Sequence, residues 1–189
     1  MKNVKIKFTR KGVSCAGNAD RFDQSDIPDI IKTYFAWKDL NEVYSKFGMR
    51  RANFPEFLSE GLTSALFGYE RTNGSTISGL PSSSMDLIDT ATGDMIQLKS
   101  CSTDATHNPG PTSFGPSSEF DRLLFMHMDC ANDTAYWYEL KSDEYKNWKA
   151  NRLETIGDQQ AQGRRPRVTI LPKIRANNLQ PIKTFVFSK

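Results

Sequence analysis

The sequence predicts an α/β fold in which a mixed central β-sheet is flanked by helices. Three observations lead to this prediction: a long apolar pattern at helical spacing near the N-terminus, a capped helix that follows it, and two hairpin patterns in the second half. The chain has 189 residues, of which 38% are hydrophobic and 25% charged. These values are typical of a globular protein, and a single domain spanning residues 1–189 is predicted.

The N-terminal segment predicts a strand and then a long helix. Residues 1–13 begin with alternating lysine and aliphatic side chains, which favours a strand or hairpin arm, and a loop is expected to follow as far as Asp26. From Pro28 to Phe47, apolar side chains recur at helical spacing, with Tyr34 and Trp37 among them. We expect this helix to pack into the core or into a dimer interface.

A second helix is predicted to start at Asn53. Asn53 is a favourable N-cap, Pro55 suits the first turn, and Glu56 lies three residues after the cap. The helix is expected to run to about Phe67 and to end at Gly68, because glycine commonly terminates helices.

The remaining elements follow from turn residues and β-branched or aromatic runs. In chain order, a loop is expected over residues 70–84, a hairpin over 85–100 and a loop over 102–118. A second hairpin formed by 123–129 and 134–140 and a helix over 142–151 are expected to follow. The chain is then expected to form a polar loop from Gly157 and strands at 168–171 and 184–187.

The first of the two predicted hairpins carries the residues with the most informative chemistry. Asp86 lies on its first strand, and a turn rich in Thr, Gly and Asp leads to the second strand. Side chains alternate along a strand, so Gln97 and Lys99 share one face while Ile96 and Leu98 occupy the other. A carboxylate, an amide oxygen and an ammonium on one surface could hold a divalent cation and activate water against a phosphodiester.

This hairpin resembles the active site of the PD-(D/E)xK nucleases, which include most type II restriction endonucleases. The similarity to the PvuII-like members extends to Asp86, Asp89, Gly93 and the strand end Leu98-Lys99-Ser100. No proline directly precedes Asp86, and Gln97 stands where the family usually has glutamate. Because an amide carries no negative charge, another acid is expected to compensate, and the candidates are Asp89 and the helix residue Glu60.

The resemblance implies an Mg²⁺-dependent type II restriction endonuclease that hydrolyses double-stranded DNA and leaves 5′-phosphates, with Mn²⁺ as a substitute metal. The catalytic residues expected from it are Asp86, Gln97, Lys99 and Glu60. The expected metal ligands are Asp86, the Gln97 side chain, the Leu98 backbone carbonyl, Glu60 and Asp89.

DNA contacts are expected from two further segments. The resemblance assigns base readout to the loop that follows the catalytic strand, and two basic clusters could grip phosphates although the net charge is only +3. The predicted DNA-contacting residues are Ser102, Thr103, His107, Asn108, Ser113, Arg164, Arg165 and Arg167.

The expected organisation places a strand, a helix and the dimerisation region in residues 1–50, and the catalytic core with its DNA-contacting loops in 51–189. Cleavage of both strands of a palindrome implies a homodimer. Three scattered cysteines without zinc spacing predict reduced thiols in a cytoplasm, and the lack of a long apolar run predicts a protein that is not membrane-bound. The resemblance implies that the cell is prokaryotic. Two alternatives stay open: a structure-specific or repair nuclease of the same fold, and a non-catalytic DNA-binding module whose site has decayed at Gln97.

Overall fold

The computed structural model describes residues 1–72, 77–80, 85–104, 109–116 and 120–189. It has the mixed α/β composition that the sequence predicts. The chain groups into two compact units, of which the first contains residues 1–80, 86–93 and 186–189 and the second contains 81–85 and 94–185. The single-domain organisation stays a prediction. Within the described ranges, no helix has both the length and the apolar character needed to cross a membrane.

The first unit contains four strands in the order β1-β2-β3-β4, each antiparallel to its neighbour. The strands are β1 Lys2–Arg10, β2 Val13–Arg21, β3 Glu70–Arg71 and β4 Leu87–Asp89. Its helical elements are a 3₁₀ turn Gln24–Asp26, helix α1 Ile27–Lys46, a π-helical segment Phe57–Gly61 and helix α2 Leu62–Phe67.

The predicted long helix is confirmed as α1, which buries Ile30, Tyr34 and Trp37 on one face. Tyr34 packs against Phe187, with 4.1 Å between the ring centroids.

The second predicted helix begins later than its sequence indicates. Asn53 does not cap it, because the π-helical segment starts only at Phe57 and its N-cap position, Glu56, makes no side-chain capping bond. The predicted end is confirmed, since Gly68 adopts the left-handed conformation with φ +75.

Strand β2 was not predicted, because residues 13–21 contain Gly, Asn and Asp and lack an apolar alternation. It forms by pairing with β1 along the whole length from Lys2↔Arg21 to Arg10↔Val13. The turn between them uses Lys11 at φ +49 and Gly12 at φ +81, which are the positive values that a tight hairpin turn requires.

The second unit contains a mixed sheet in the order β5-β7-β8-β10, in which β5 pairs parallel with β7 and β7 pairs antiparallel with β8. A separate two-stranded ribbon joins β6 to β9. The strands are β5 Asp94–Thr103, β6 Thr112–Ser113, β7 Arg122–Asp129, β8 Thr134–Leu140, β9 Arg167–Val168 and β10 Lys183–Val186. The helices are α3 Ser142–Lys146, α4 Ile156–Ala161 and α5 Ile170–Ala176.

The hairpin of β7 and β8 and the closing strand β10 agree with the sequence, whereas three other expectations were wrong. The strand expected at 168–171 ends at Val168, because Ile170 and Leu171 begin α5 and are buried with Ile174 at helical spacing. The polar loop expected from Gly157 contains α4, which Thr155 and Asp158 cap reciprocally. The helix expected to reach residue 151 ends at Lys146.

One cluster of buried apolar side chains in the second unit is contributed by the sheet, the ribbon and the helices α3, α4 and α5. Its members include Leu123 and Phe125 of β7, Tyr145 of α3 and Val168 of β9. The ring of Phe114, which directly follows β6, stacks on Tyr145 with a centroid separation of 5.4 Å. The ribbon is therefore anchored to the core through its buried residues.

The turn between β4 and β5 closes with a hydrogen bond from the Gly93 amide to the Asp89 carbonyl at 2.7 Å. Gly93 has φ +81, and a Cβ atom at this position would lie 2.6 Å from the Thr9 carbonyl oxygen. Gly12 has the same φ of +81, but no described atom would lie within 4 Å of its Cβ. The pairing of β4 with β5 that the sequence predicts stays a prediction.

These two glycines form a matched pair for a stability measurement. We expect Gly12→Ala to lower the free energy of unfolding by about 1–2 kcal/mol, which is the usual penalty for a left-handed Cβ. Gly93→Ala is expected to lower it further, because the turn must also move away from Thr9. Urea unfolding of both variants measures the difference, and equal losses would contradict the close approach.

Candidate active site

Two of the predicted acidic residues, Asp86 and Glu60, belong to the first unit. Asp86 directly precedes β4, and its carbonyl oxygen accepts a hydrogen bond from the Thr72 amide at 3.0 Å. Glu60 belongs to the π-helical segment, and its side chain is only 15% exposed. Burial is the main cause of a raised pKa of Glu60, and the Asp86 charge acts in the same direction. The role of Glu60 as the acid that accompanies Asp86 stays a prediction.

Arg71 of β3 is the counter-ion of this acidic group. Its Nε donates a hydrogen bond to Glu60, its Nη2 lies 3.5 Å from Glu56, and its Nη1 lies 3.8 Å from Asp20. The Arg71 side chain is 18% exposed and that of Asp20 is 5% exposed. One guanidinium therefore balances several carboxylates in a region where water screens charge poorly.

The protonation of Glu60 depends on opposing influences. Burial raises the pKa of its carboxyl group above the ordinary value of 4.5, and the neighbouring Asp86 and Glu56 charges act in the same direction. The hydrogen bond and charge of Arg71 lower the pKa but do not cancel the effect of burial. Between the ordinary and the raised pKa, the folded protein binds more protons at Glu60 than the unfolded chain does.

This difference in proton binding between the folded and unfolded states predicts the direction in which stability changes with pH. The contribution of Glu60 to the free energy of unfolding should fall as the pH rises from 4.5 through its raised pKa. We therefore expect the wild type to lose stability relative to Glu60→Gln over that interval. Urea unfolding at a series of pH values gives the difference curve, and a slope of the opposite sign would contradict the raised pKa.

A second variant distinguishes the effect of the raised pKa of Glu60 from the effect of removing one of the carboxylates that pair with Arg71. Glu56 also faces Arg71, but its side chain is 80% exposed. Glu56→Gln therefore removes a carboxylate from the same guanidinium without removing a buried acid, and it is the matched control for the Glu60→Gln difference curve.

Gln97, Leu98 and Lys99 lie on β5 of the second unit, as predicted. The Gln97 side chain is buried, with 4% exposure, and its Nε2 donates to the Leu98 carbonyl at 3.5 Å. Gln97 and Lys99 stand opposite Leu123 and Phe125 in the parallel register with β7. Paired residues in neighbouring strands point to the same face, so the amide and the ammonium share a face, and Leu98 lies on the other.

Asp89, the other candidate for a compensating acid, takes part in the turn after β4. Its Oδ1 accepts hydrogen bonds from the amides of Ala91 at 3.0 Å and Thr92 at 3.4 Å. This arrangement is an Asx turn, in which the carboxylate stabilises the local backbone. Whether Glu60 or Asp89 accompanies Asp86 stays a prediction.

The predicted donor set consists of hard oxygen atoms from carboxylates, an amide and a backbone carbonyl. Within residues 1–72, 77–80, 85–104, 109–116 and 120–189, no group of three or more His, Cys, Asp or Glu side chains is arranged to hold a metal ion. Carboxylates such as those of Glu60 and Asp86 are ligands of the kind that Mg²⁺ takes, since it binds through one or two carboxylates and retains several waters.

The predicted DNA-contacting residues occupy different environments. Ser102 and Thr103 were expected in a loop, but they continue β5, because pairing with β7 extends to Thr103↔Asp129. The Thr103 hydroxyl is hydrogen-bonded to His127 Nε2 at 2.7 Å. His107 and Asn108 lie outside the described residues.

The ribbon brings together two predicted DNA-contacting residues from distant parts of the sequence. Ser113 of β6 stands directly opposite Arg167 of β9. Arg165 and Arg167 are exposed, whereas Arg164 forms an ion pair with Glu154. That pair and three amide hydrogen bonds lower the pKa of Glu154 to about 2. The Arg164 side chain is therefore held at the protein surface by this ion pair, unlike the side chains of Arg165 and Arg167.

Sequence reasoning missed Arg71 and the pairing of β6 with β9. Arg71 is adjacent to Glu70 in a short polar segment that was expected to be a loop. Its role depends on acids far away in the sequence, so no local spacing could indicate it. The ribbon left a weak signal in the alternation of arginine with apolar or cyclic side chains over Arg165, Pro166, Arg167 and Val168.

Comparison with known proteins assigns the chain to the restriction endonucleases. A family model described as Bsp6I restriction endonuclease matches residues 22–176, a range that includes every predicted site residue. The chain belongs to the Bsp6I restriction endonuclease family. The type II restriction enzyme Bsp6I of Bacillus sp. (strain RFL6) is 36% identical over 165 residues, which cover 86% of this chain and 88% of that enzyme. No solved structure matches, and the PD-(D/E)xK and PvuII-like assignments stay predictions.

Proposed function

We propose that this protein is a type II restriction endonuclease that cleaves double-stranded DNA at a specific sequence with Asp86, Glu60, Gln97 and Lys99 as its catalytic residues. Membership in the Bsp6I family is the observation that carries the reaction class, because the match extends over most of the chain. The assignment of individual residues is supported by their chemistry and by the strands and helix on which they lie.

The proposed metal site uses the carboxylates of Asp86 and Glu60, the Gln97 amide oxygen and the Leu98 carbonyl. A bound Mg²⁺, or Mn²⁺ in its place, supplies charge stabilisation at the phosphate and lowers the pKa of water. Glu60 provides the negative charge that Gln97 lacks, and Arg71 keeps that carboxylate paired while no cation is bound. The raised pKa of Glu60 implies that weakly acidic pH disfavours cation binding.

Lys99 is proposed to orient the attacking water and to hold positive charge beside the phosphate as its bond to the leaving oxygen breaks. Its position two residues after Gln97 puts both side chains on one face of β5. The turn from Asp89 to Gly93 connects β4, which Asp86 precedes, to this strand. The proposed products carry 5′-phosphate and 3′-hydroxyl ends.

A homodimer is proposed because two strands of a symmetric site must be cut. The candidate interface is the exposed side of α1 and the residues that follow it, where Leu40, Val43, Phe47 and Met49 are 42%, 46%, 76% and 59% exposed. The prokaryotic cytoplasm is the proposed location, and within the described residues no disulfide joins Cys15, Cys101 or Cys130.

One observation favours a second candidate, a non-catalytic DNA-binding module. Gln97 is buried and neutral where the resembled nucleases have a carboxylate, so the metal site has lost one charge. Such a module would retain DNA affinity without metal-dependent cleavage.

Digestion of plasmid and phage DNA by the purified protein distinguishes the two candidates. Incubation with Mg²⁺, with Mn²⁺ and with EDTA should give discrete fragments in the metal lanes only. Mapping of the ends would then give the recognition site and the stagger. DNA retention without cleavage in either metal would favour the binding module, and fragments without a common end sequence would favour a structure-specific nuclease.

A further inference from the structure

The β6–β9 ribbon presents one polar face and buries the other. Its register places Ser113 opposite Arg167 and Thr112 opposite Val168. The Phe114 amide donates to the Pro166 carbonyl at 3.0 Å, which continues the pairing beyond the two short strands. Phe114, Pro166 and Val168 are buried, whereas Arg165 and Arg167 are exposed and Ser113 is half-buried. Alternation along β9 thus directs the arginines away from the core.

Several contacts fix this ribbon in place. Phe114 and Val168 belong to the buried cluster of the second unit, and Phe114 stacks on Tyr145. From α4, Gln160 Nε2 donates to the Gly115 carbonyl at 2.7 Å. The outward side chains therefore project from a rigid backbone, which is what precise recognition of a ligand requires.

The three neighbouring arginines differ in their freedom to bind a partner. Arg164 is held by Glu154. In the described part of the chain, neither Arg165 nor Arg167 has a partner for its guanidinium. Two unneutralised arginines on one face beside a hydroxyl group fit a polyanion that also offers hydrogen-bond acceptors.

We propose that Arg167, assisted by Ser113, reads a base pair of the recognition site, that Arg165 contacts a phosphate, and that Arg164 contacts neither. This inference rests on the proposed function, since it concerns the DNA of that reaction. The major groove admits a two-stranded ribbon, and an arginine fork matches the O6 and N7 acceptors of guanine. Arg167 is the base reader because it lies in the strand between buried Pro166 and Val168, whereas Arg165 lies beyond the paired strand.

In-vitro selection from a pool of randomised duplexes tests this assignment without requiring cleavage. The parent protein is the Lys99→Ala variant, and three further proteins each add one substitution to it: Arg167→Lys, Arg165→Gln or Arg164→Gln. All selections are made in the presence of Mg²⁺. Arg167→Lys keeps the charge but loses the fork, so preference at one G·C pair of each half-site should fall about 10–100-fold. Arg165→Gln should weaken all duplexes equally and reduce the slope of log affinity against log salt by ~0.9.

Arg164→Gln should select the same site with the same preference as its parent, and thermal unfolding of each variant checks that the fold is retained. Unchanged preference at every position in Arg167→Lys would overturn the assignment, as would an equal loss in Arg164→Gln. These outcomes are independent of catalysis. If the wild type selects a specific sequence but never cleaves it, the proposed function fails and the assignment of Arg167 is still decided by the selection.

Discussion

Replacement of Lys99 by methionine is expected to lower the rate of DNA cleavage by about 10²–10⁴-fold, the range typical for loss of a group that assists proton transfer. Methionine has a similar length but no charge, so it should fit the partly exposed position on β5 without disturbing the strand. The loss arises because the attacking water is no longer oriented and the charge developing on the phosphate is no longer balanced. Single-turnover cleavage of a duplex with one mapped site measures the rate.

The matched control is Lys183→Met, which removes an exposed ammonium from β10. Both variants change the net charge equally, so any general loss of DNA attraction affects them alike. We expect the control to cleave at close to the wild-type rate, and both proteins to bind the duplex. A wild-type rate for Lys99→Met would remove Lys99 from the proposed mechanism.

The second large effect concerns stability. Arg71→Met is expected to lower the free energy of unfolding by about 3–5 kcal/mol, because removal of one partner leaves buried charges without compensation. Glu60 and Asp20 are the carboxylates most affected, since their side chains are only 15% and 5% exposed. Urea unfolding at neutral pH measures the loss.

Two further variants show whether the buried charges cause that loss. Arg164→Met breaks an ion pair whose partners are 45% and 27% exposed, and a much smaller effect is expected because water screens this pair. The double variant Arg71→Met/Glu60→Gln should recover part of the stability, since one unpaired carboxylate is then neutral. Equal losses in Arg71→Met and Arg164→Met would contradict a central role for Arg71.

Local sequence patterns predicted the elements that are stabilised locally. Helix α1 has a long apolar stripe, and the β7–β8 hairpin joins two apolar runs through a tight polar turn. Strand β2 escaped prediction because its residues have little β-propensity and it forms through pairing with β1. Ile170 and Leu171 were assigned to a strand because a short apolar run does not distinguish a strand from a buried helix start.

The difference between local patterns and pairings of distant segments also decides which residues of the candidate site could be predicted. Asp86, Gln97 and Lys99 could be singled out because they lie on short segments on either side of one turn. Glu60 was proposed as a partner of Asp86 mainly through the resemblance, since Glu60 lies in a helical segment and Asp86 directly precedes a strand that is separated from it along the chain, and that pairing stays a prediction. Arg71 and the opposition of Ser113 to Arg167 could not be anticipated, because both arise from pairings between distant segments.

The alternation along the ribbon separates evolvable positions from constrained ones. Residues 114, 166 and 168 anchor the backbone, so their replacement would disturb packing, whereas residues 165 and 167 change only what faces outward. A small library at positions 113 and 167 could therefore diversify the preferred DNA sequence while the scaffold stays constant, and a change at position 165 would alter the strength of binding to every sequence.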